Sequence, residues 1–112
     1  MKCIISNDLI KKVISVKTIT KVVIWEDSLR VYHNGTCIEN SVYDDNIHSF
    51  AHKCKTWAML EGYQIKTWFD EITCWCTIHH NNKKIKKFEI QGPEQQAIFD
   101  ACEWILEYTK GN

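Results

Sequence analysis

The chain has 112 residues, enough to bury a core without a metal or disulfide, because a chain of this size hides roughly two-thirds of its unfolded surface on folding. Apolar residues at 45% exclude a disordered chain, and 14 basic against 14 acidic side chains remove the overall positive excess on which binding to a nucleic-acid backbone relies. No run approaches the ~20 apolar residues of a bilayer span, so no membrane partner is expected.

The amino terminus, Met1-Lys2-Cys3-Ile4-Ile5, resembles the opening of a signal peptide, but Ser6, Asn7 and Asp8 interrupt it. The chain therefore reads as cytoplasmic, and its six cysteines as reduced thiols that behave as small hydrophobes on buried faces.

Val13–Ile19 and Lys21–Trp25 are rich in β-branched residues and predict strands, with a turn at Glu26-Asp27-Ser28. Asn34-Gly35, between Leu29–His33 and Thr36–Asn40, predicts a two-residue type I′ hairpin. Its register places Val31 opposite Ile38 and Arg30 opposite Glu39. Asp44, Asp45 and Asn46 are cap candidates for a helix whose apolar stripe is Ile47, Phe50, Ala51, Cys54, Trp57 and Ala58, and which stops at Gly62. Tyr63–Phe69 is extended.

Ile72–His80 alternates, with Ile72, Cys74, Cys76, Ile78 and His80 on one face and Thr73, Trp75, Thr77 and His79 on the other. A polar connection at Asn81–Lys84 leads to a partner strand, Ile85–Ile90. Gly92-Pro93-Glu94 opens the last helix. Its apolar arc, from Phe99 and Leu106 through Ile98, Ala101, Cys102 and Ile105 to Ala97, Trp104 and Tyr108, is wider than one sheet covers, so it must also meet the first helix, a loop or a partner chain. No internal repeat is evident. The expected fold is α+β: one domain over residues 1–112, a mainly antiparallel sheet of four to five strands with two helices, in the order β-β-β-α-β-β-α.

Several patterns invite chemistry. Cys74-x-Cys76-x-x-His79-His80 holds zinc-ligand types. However, same-face neighbours on a strand lie ~6.6 Å apart. Two thiolates on one zinc sit within about 4.6 Å, and His79 points to the other face. Buried core cysteines are the better reading. His48 and His52 have chelating helical spacing, but they lie off the apolar stripe and read as a solvated face. Lys83, Lys84, Lys86 and Lys87, with Trp68, Phe69 and Trp75 nearby, fit either a strand-binding hairpin or a protected sheet edge. No phosphate loop or nucleophile signature is present, so no catalytic residue, metal or cofactor is assigned.

The helix ending in Trp57-Ala58-Met59-Leu60-Glu61-Gly62-Tyr63, the strand Glu71–His80, and the stretch Phe88-Glu89-Ile90-Gln91-Gly92-Pro93-Glu94-Gln95-Gln96-Ala97-Ile98 leading into Ala101–Leu106 carry a resemblance. From His48 to Thr109 the chain resembles the small α-β-β-α sandwich proteins encoded by phages and prophages. That resemblance implies an origin in a mobile element and no catalytic residues. It also implies action by binding and blocking a host protein, as anti-CRISPR inhibitors do. Five Trp, four Tyr and four Phe are a heavy aromatic load. With the wide arc of the last helix they make a stoichiometric protein-binding module the first expectation, with Phe99, Trp104, Tyr108, Trp68 and Trp75 as contact candidates and a host factor or a second copy as partner. The alternatives are nucleic-acid binding through Lys83, Lys84, Lys86 and Lys87, and a structural homodimer.

Overall fold

Ser6 caps a helix that the strand preferences conceal. Its hydroxyl accepts the Leu9 amide at 3.2 Å, Asp8 occupies the first turn and Lys11 and Lys12 the last, so both ends suit the helix dipole. The resulting α1 (Asn7–Ile14) buries Leu9 and Ile10 and ends at Ser15, which adopts a left-handed φ of 56°. Val13 and Ile14 thus belong to a helix, not to the strand expected from Val13. The cap and the helical spacing of Leu9, Ile10, Val13 and Ile14 outweigh β-branched preference.

A computed structural model describes residues 3–34 and 41–110. After α1 come β1 (Thr18–Trp25), β2 (Ser28–Asn34), β3 (Ser41–Asn46), α2 (Ile47–Leu60), β4 (Tyr63–Asp70), β5 (Thr73–His80), β6 (Lys83–Ile90) and α3 (Glu94–Lys110). The α+β class and the antiparallel pairing agree with expectation. The rest is corrected: among the described residues there are three helices, and six strands forming two separate three-stranded sheets, β1-β2-β3 and β4-β5-β6.

The unit β-β-β-α occurs twice. β1 and β2 begin at residues 18 and 28, and β4 and β5 begin at 63 and 73, the same interval. Glu26 and Glu71 open equivalent two-residue turns with φ of 54° and 57°. The repeat escapes the sequence because equivalent places hold different residues. Leu29 and Val31 are buried in the first unit where Cys74 and Cys76 are buried in the second.

Two turn readings change. β2 has β1 on one side and β3 on the other, and Arg30 faces Asp44 while Val31 faces Tyr43. The register implied by Asn34-Gly35 is therefore not formed, and its expected partner segment, 36–40, lies outside the described residues. A paired positive-φ turn lies instead at Asn81-Asn82, with φ of 53° and 63°, between β5 and β6. Asn tolerates this left-handed conformation better than most residues. Ile72 is exposed in the β4–β5 turn and does not share the buried face of Cys74, Cys76 and Ile78.

Asn46 caps α2, accepting the His48 amide at 2.8 Å. Helix α2 touches β2 and β3 of the first sheet and β4 of the second, while α3 lies on β4 and β5. Most of the wide arc of α3 is covered inside the chain, with Tyr108 left exposed. Part meets α2, part meets the second sheet, and part meets α1 and the segment before it. Gln96 exchanges two hydrogen bonds with the Ile4 backbone, and the Ser6 amide donates to Glu103 at 2.8 Å. One continuous core results, from Cys3 and Leu9 through Leu29, Phe50 and Ile78 to Leu106. The molecule measures 42 × 34 × 19 Å. Its least dimension equals one sheet plus one helix layer of ~10 Å each, so the helices cover only one face of the sheets.

Candidate binding surfaces

The uncovered sheet faces carry Trp25, Trp68 and Trp75, three of the five tryptophans. On the second sheet, Trp68 of β4 sits directly opposite Trp75 of β5, and their rings stack with centroids 6.5 Å apart and planes 18° apart. Lys87, one step along β6, holds its ammonium 4.8 Å from the Trp75 ring centre and 6.0 Å from that of Trp68. Such a contact is an attraction between the cation and the negative ring face. The next row of the same face is Lys66, Thr77 and Lys87, and the next Gln64, His79 and Lys84. His79 bonds Thr77 across that face at 3.2 Å. Trp68 remains 43% exposed.

On the first sheet, Val23, Arg30 and Asp44 form one open-face row, with Lys21, Tyr32 and Val42 the next. Arg30 Nε lies 2.7 Å from Asp44 Oδ1. A groove of about 510 Å³ runs over this face, lined by Val23, Trp25, Arg30, Tyr32, Asp44 and Asn46 among others. Trp25, at its edge, is 72% exposed. Neither Trp25 nor this groove was singled out from the sequence. The available signal was that Trp25 alternates with Ile24 and so faces away from the core.

The contact candidates separate on the structure. Phe99 is wholly buried, 6.0 Å from Phe50, and is corrected to a core residue with no surface to offer. Trp104 packs against the core and stacks on Tyr108 with centroids 4.8 Å apart, while Tyr108 meets Tyr63 edge-on and stays 44% exposed. Trp68 and Trp75 stand together on the open face. The lysine run divides. Lys84 and Lys87 project with His79 and Thr77 on the open face, whereas Lys83 and Lys86 pair with His80 and Ile78 on the other side of the edge strand.

The Cys-His motif divides likewise. Cys74 and Cys76 are buried under α3, and the Cys76 thiol points to the Ala97 carbonyl. His79 is on the open face, while His80 bonds the Gly62 carbonyl at 2.9 Å and stacks on Tyr63. His48 bonds Gln95, with its other nitrogen 3.8 Å from Asp27, so it is engaged away from His52. Burial pushes up the thiols of Cys3, Cys74 and Cys76, the last to about 12. Hydrogen bonding with Cys102, then burial, raises Cys54 strongly. The thiolate is the reactive form of cysteine, and these four thiols are held away from it.

One polar cluster was missed because its members are distant in sequence. Tyr43 and Asp45 on β3 meet Lys53 on α2: the Tyr43 hydroxyl donates to Asp45, and the Lys53 ammonium lies 2.8 Å from each. Burial alone would raise the Asp45 carboxyl. Hydrogen bonds from Lys53, Tyr43 and the Asn46 amide outweigh it and hold the group below the usual carboxylate range. The cluster ties β3 to α2.

No helix among the described residues is long and apolar enough to cross a membrane. Comparison with known proteins gives no match: no family model, no curated protein and no solved structure matches the chain.

Proposed function

We propose that the protein acts by stoichiometric binding to another protein, with the open face of the first sheet as the docking surface. The observation that carries this reading is the exposed Trp25 at the edge of a groove whose walls include Val23, Tyr32 and the Arg30–Asp44 pair. Trp, Tyr and Arg are the residue types that dominate binding energy at protein interfaces. Catalysis is the weaker reading. Four thiols are held in the protonated form, and Asp45, which borders the groove, is tied up with Tyr43 and Lys53 in joining β3 to α2. In the mobile-element setting that the phage-protein resemblance implies, the partner is a host factor and the effect inhibitory, of the anti-CRISPR kind.

Affinity capture from host lysate with the intact chain and with Trp25→Ala tests this, alongside sedimentation of the pure protein. The expected result is a monomer that retains a specific protein only when Trp25 is present. Self-association abolished by Trp25→Ala would assign the face to a homodimer instead. Equal capture by both chains would remove the face from consideration.

A further inference from the structure

The open face of the second sheet is chemically unlike that of the first. At the two positions where the second sheet carries Trp68 and Trp75, the equivalent places of the first carry Val23 and Arg30. Around the indole pair stand Lys66, Lys84 and Lys87. On this face the adjoining edge strand β6 contributes Lys84 and Lys87 and one acid, Glu89, which stands opposite Trp75. Glu89 lies in the row of the tryptophans and Asp70 beyond it, so the positive charge gathers on the other side of the pair, toward Gln64, His79 and Lys84.

We propose that this face is a second binding site, independent of the first, and that its ligand is a single-stranded nucleic acid. Every base has a π-face, so near-parallel indoles on an open sheet accept bases of any sequence by stacking, while neighbouring lysines follow the phosphates. Lys87 is already placed at the junction of the two functions, above both rings and in line with Lys66 across Thr77. A duplex hides its base faces and offers the rings nothing. An acidic peptide would engage the lysines but not the indoles. A purely protective sheet edge accounts for Lys83 and Lys86, which flank the rim of β6. It does not account for two tryptophans on the uncovered face. The zero net charge of the whole chain is no obstacle, because screening confines these charges to about 10 Å and the local excess is what a strand meets.

The test is fluorescence anisotropy of the intact protein with a labelled oligothymidylate and an oligouridylate of about a dozen nucleotides. A duplex of equal length and a polyglutamate peptide serve as controls. Expected is binding to both single strands, little to the duplex and none to the peptide, with the logarithm of affinity falling against that of salt with a slope of about −2, as three phosphate contacts on a single strand give. Trp68→Ala weakens binding ~5- to 100-fold. Trp68→Phe keeps most of it. The pair Lys66→Gln and Lys87→Gln, both at exposed positions, flattens the salt slope even if the Trp68 change perturbs folding. Trp25→Ala leaves strand binding unchanged, which separates this site from the protein-docking face. Absence of strand binding at low salt, binding indifferent to Trp68→Ala, or equal affinity for polyglutamate would each overturn the proposal.

Discussion

The Lys53 ammonium stands 2.8 Å from Asp45 Oδ2, joining the second helix to the strand just before it. The carboxylate is 12% exposed, whereas the lysine is half in solvent, so the bond is partly screened. Asp45 has a depressed pKa in the folded state. The stability it contributes is therefore present above the unfolded carboxylate value of about 3.9 and is lost as pH falls through the lower folded value. Asp45→Asn is expected to cost about 1 kcal/mol at neutral pH and to reduce the loss of stability below about pH 4. Urea unfolding at several pH values measures both, and equal stability of the two chains at neutral pH would show that the cluster is ornamental.

Glu71 occupies a left-handed turn position with φ of 57°. A side chain there costs roughly 1–2 kcal/mol, and glycine restores about 0.4–1 kcal/mol of that as added freedom in the unfolded chain. Glu71→Gly is expected to stabilise by about 0.5–1 kcal/mol, and Glu26→Gly, in the equivalent turn, to do the same. Gly62 is the opposite case, with φ of +95°. A methyl group there would meet only the His80 ring at an ordinary 3.5 Å, so the cost of Gly62→Ala is backbone strain of about 1–2 kcal/mol. Thermal or urea midpoints of the three variants should move in opposite directions, the two glutamate changes upward and the glycine change downward.

Cys3, Cys54, Cys74, Cys76 and Cys102 are all buried and unbridged. Their alkylation requires the core to open, so iodoacetamide at mildly alkaline pH should leave these five unmodified in the native protein and modify them all in urea. Mass spectrometry of the peptides reads this directly. Rapid native labelling of Cys76, whose thiol is pushed up to about 12, would contradict the packing of β5 under α3.

The second half of the chain was largely legible, and the first was not. The alternation from Thr73 to His80, the apolar stripe from Ile47 to Ala58 and the start of α3 near Glu94 depend on one strong local period each, and all three stand. The failures arose where two local signals competed. Ser6-Asn7-Asp8 read as an interruption of an apolar run, although the same residues cap a helix. Asn34-Gly35 read as a tight hairpin, although β2 finds its partner from Ser41 onward, where Arg30 meets Asp44. A salt bridge to Glu39 was equally consistent with composition, and only the register distinguishes the two acids. Trp68 and Trp75 were singled out individually, yet their pairing needs the β4–β5 register. Trp25 was passed over because exposure depends on which face the helices cover, a tertiary fact.

The breadth of the α3 arc was the sequence observation that suggested a missing partner, and α1 supplies much of what it lacked. Leu9 and Ile10 are wholly buried, and the segment before them is fastened to α3 by Gln96 and Glu103. If α1 is an integral part of the core, Leu9→Ala should cost about 3 kcal/mol, as truncation of a buried leucine does when its surroundings cannot collapse. Ser6→Ala should cost about 1 kcal/mol through loss of the cap. Urea unfolding monitored by tryptophan fluorescence measures both, because Trp104 and Trp57 pack against that core. A Leu9→Ala loss under about 1 kcal/mol would mean that α1 rests on the surface. The apolar arc of α3 would then still require a partner from outside the chain.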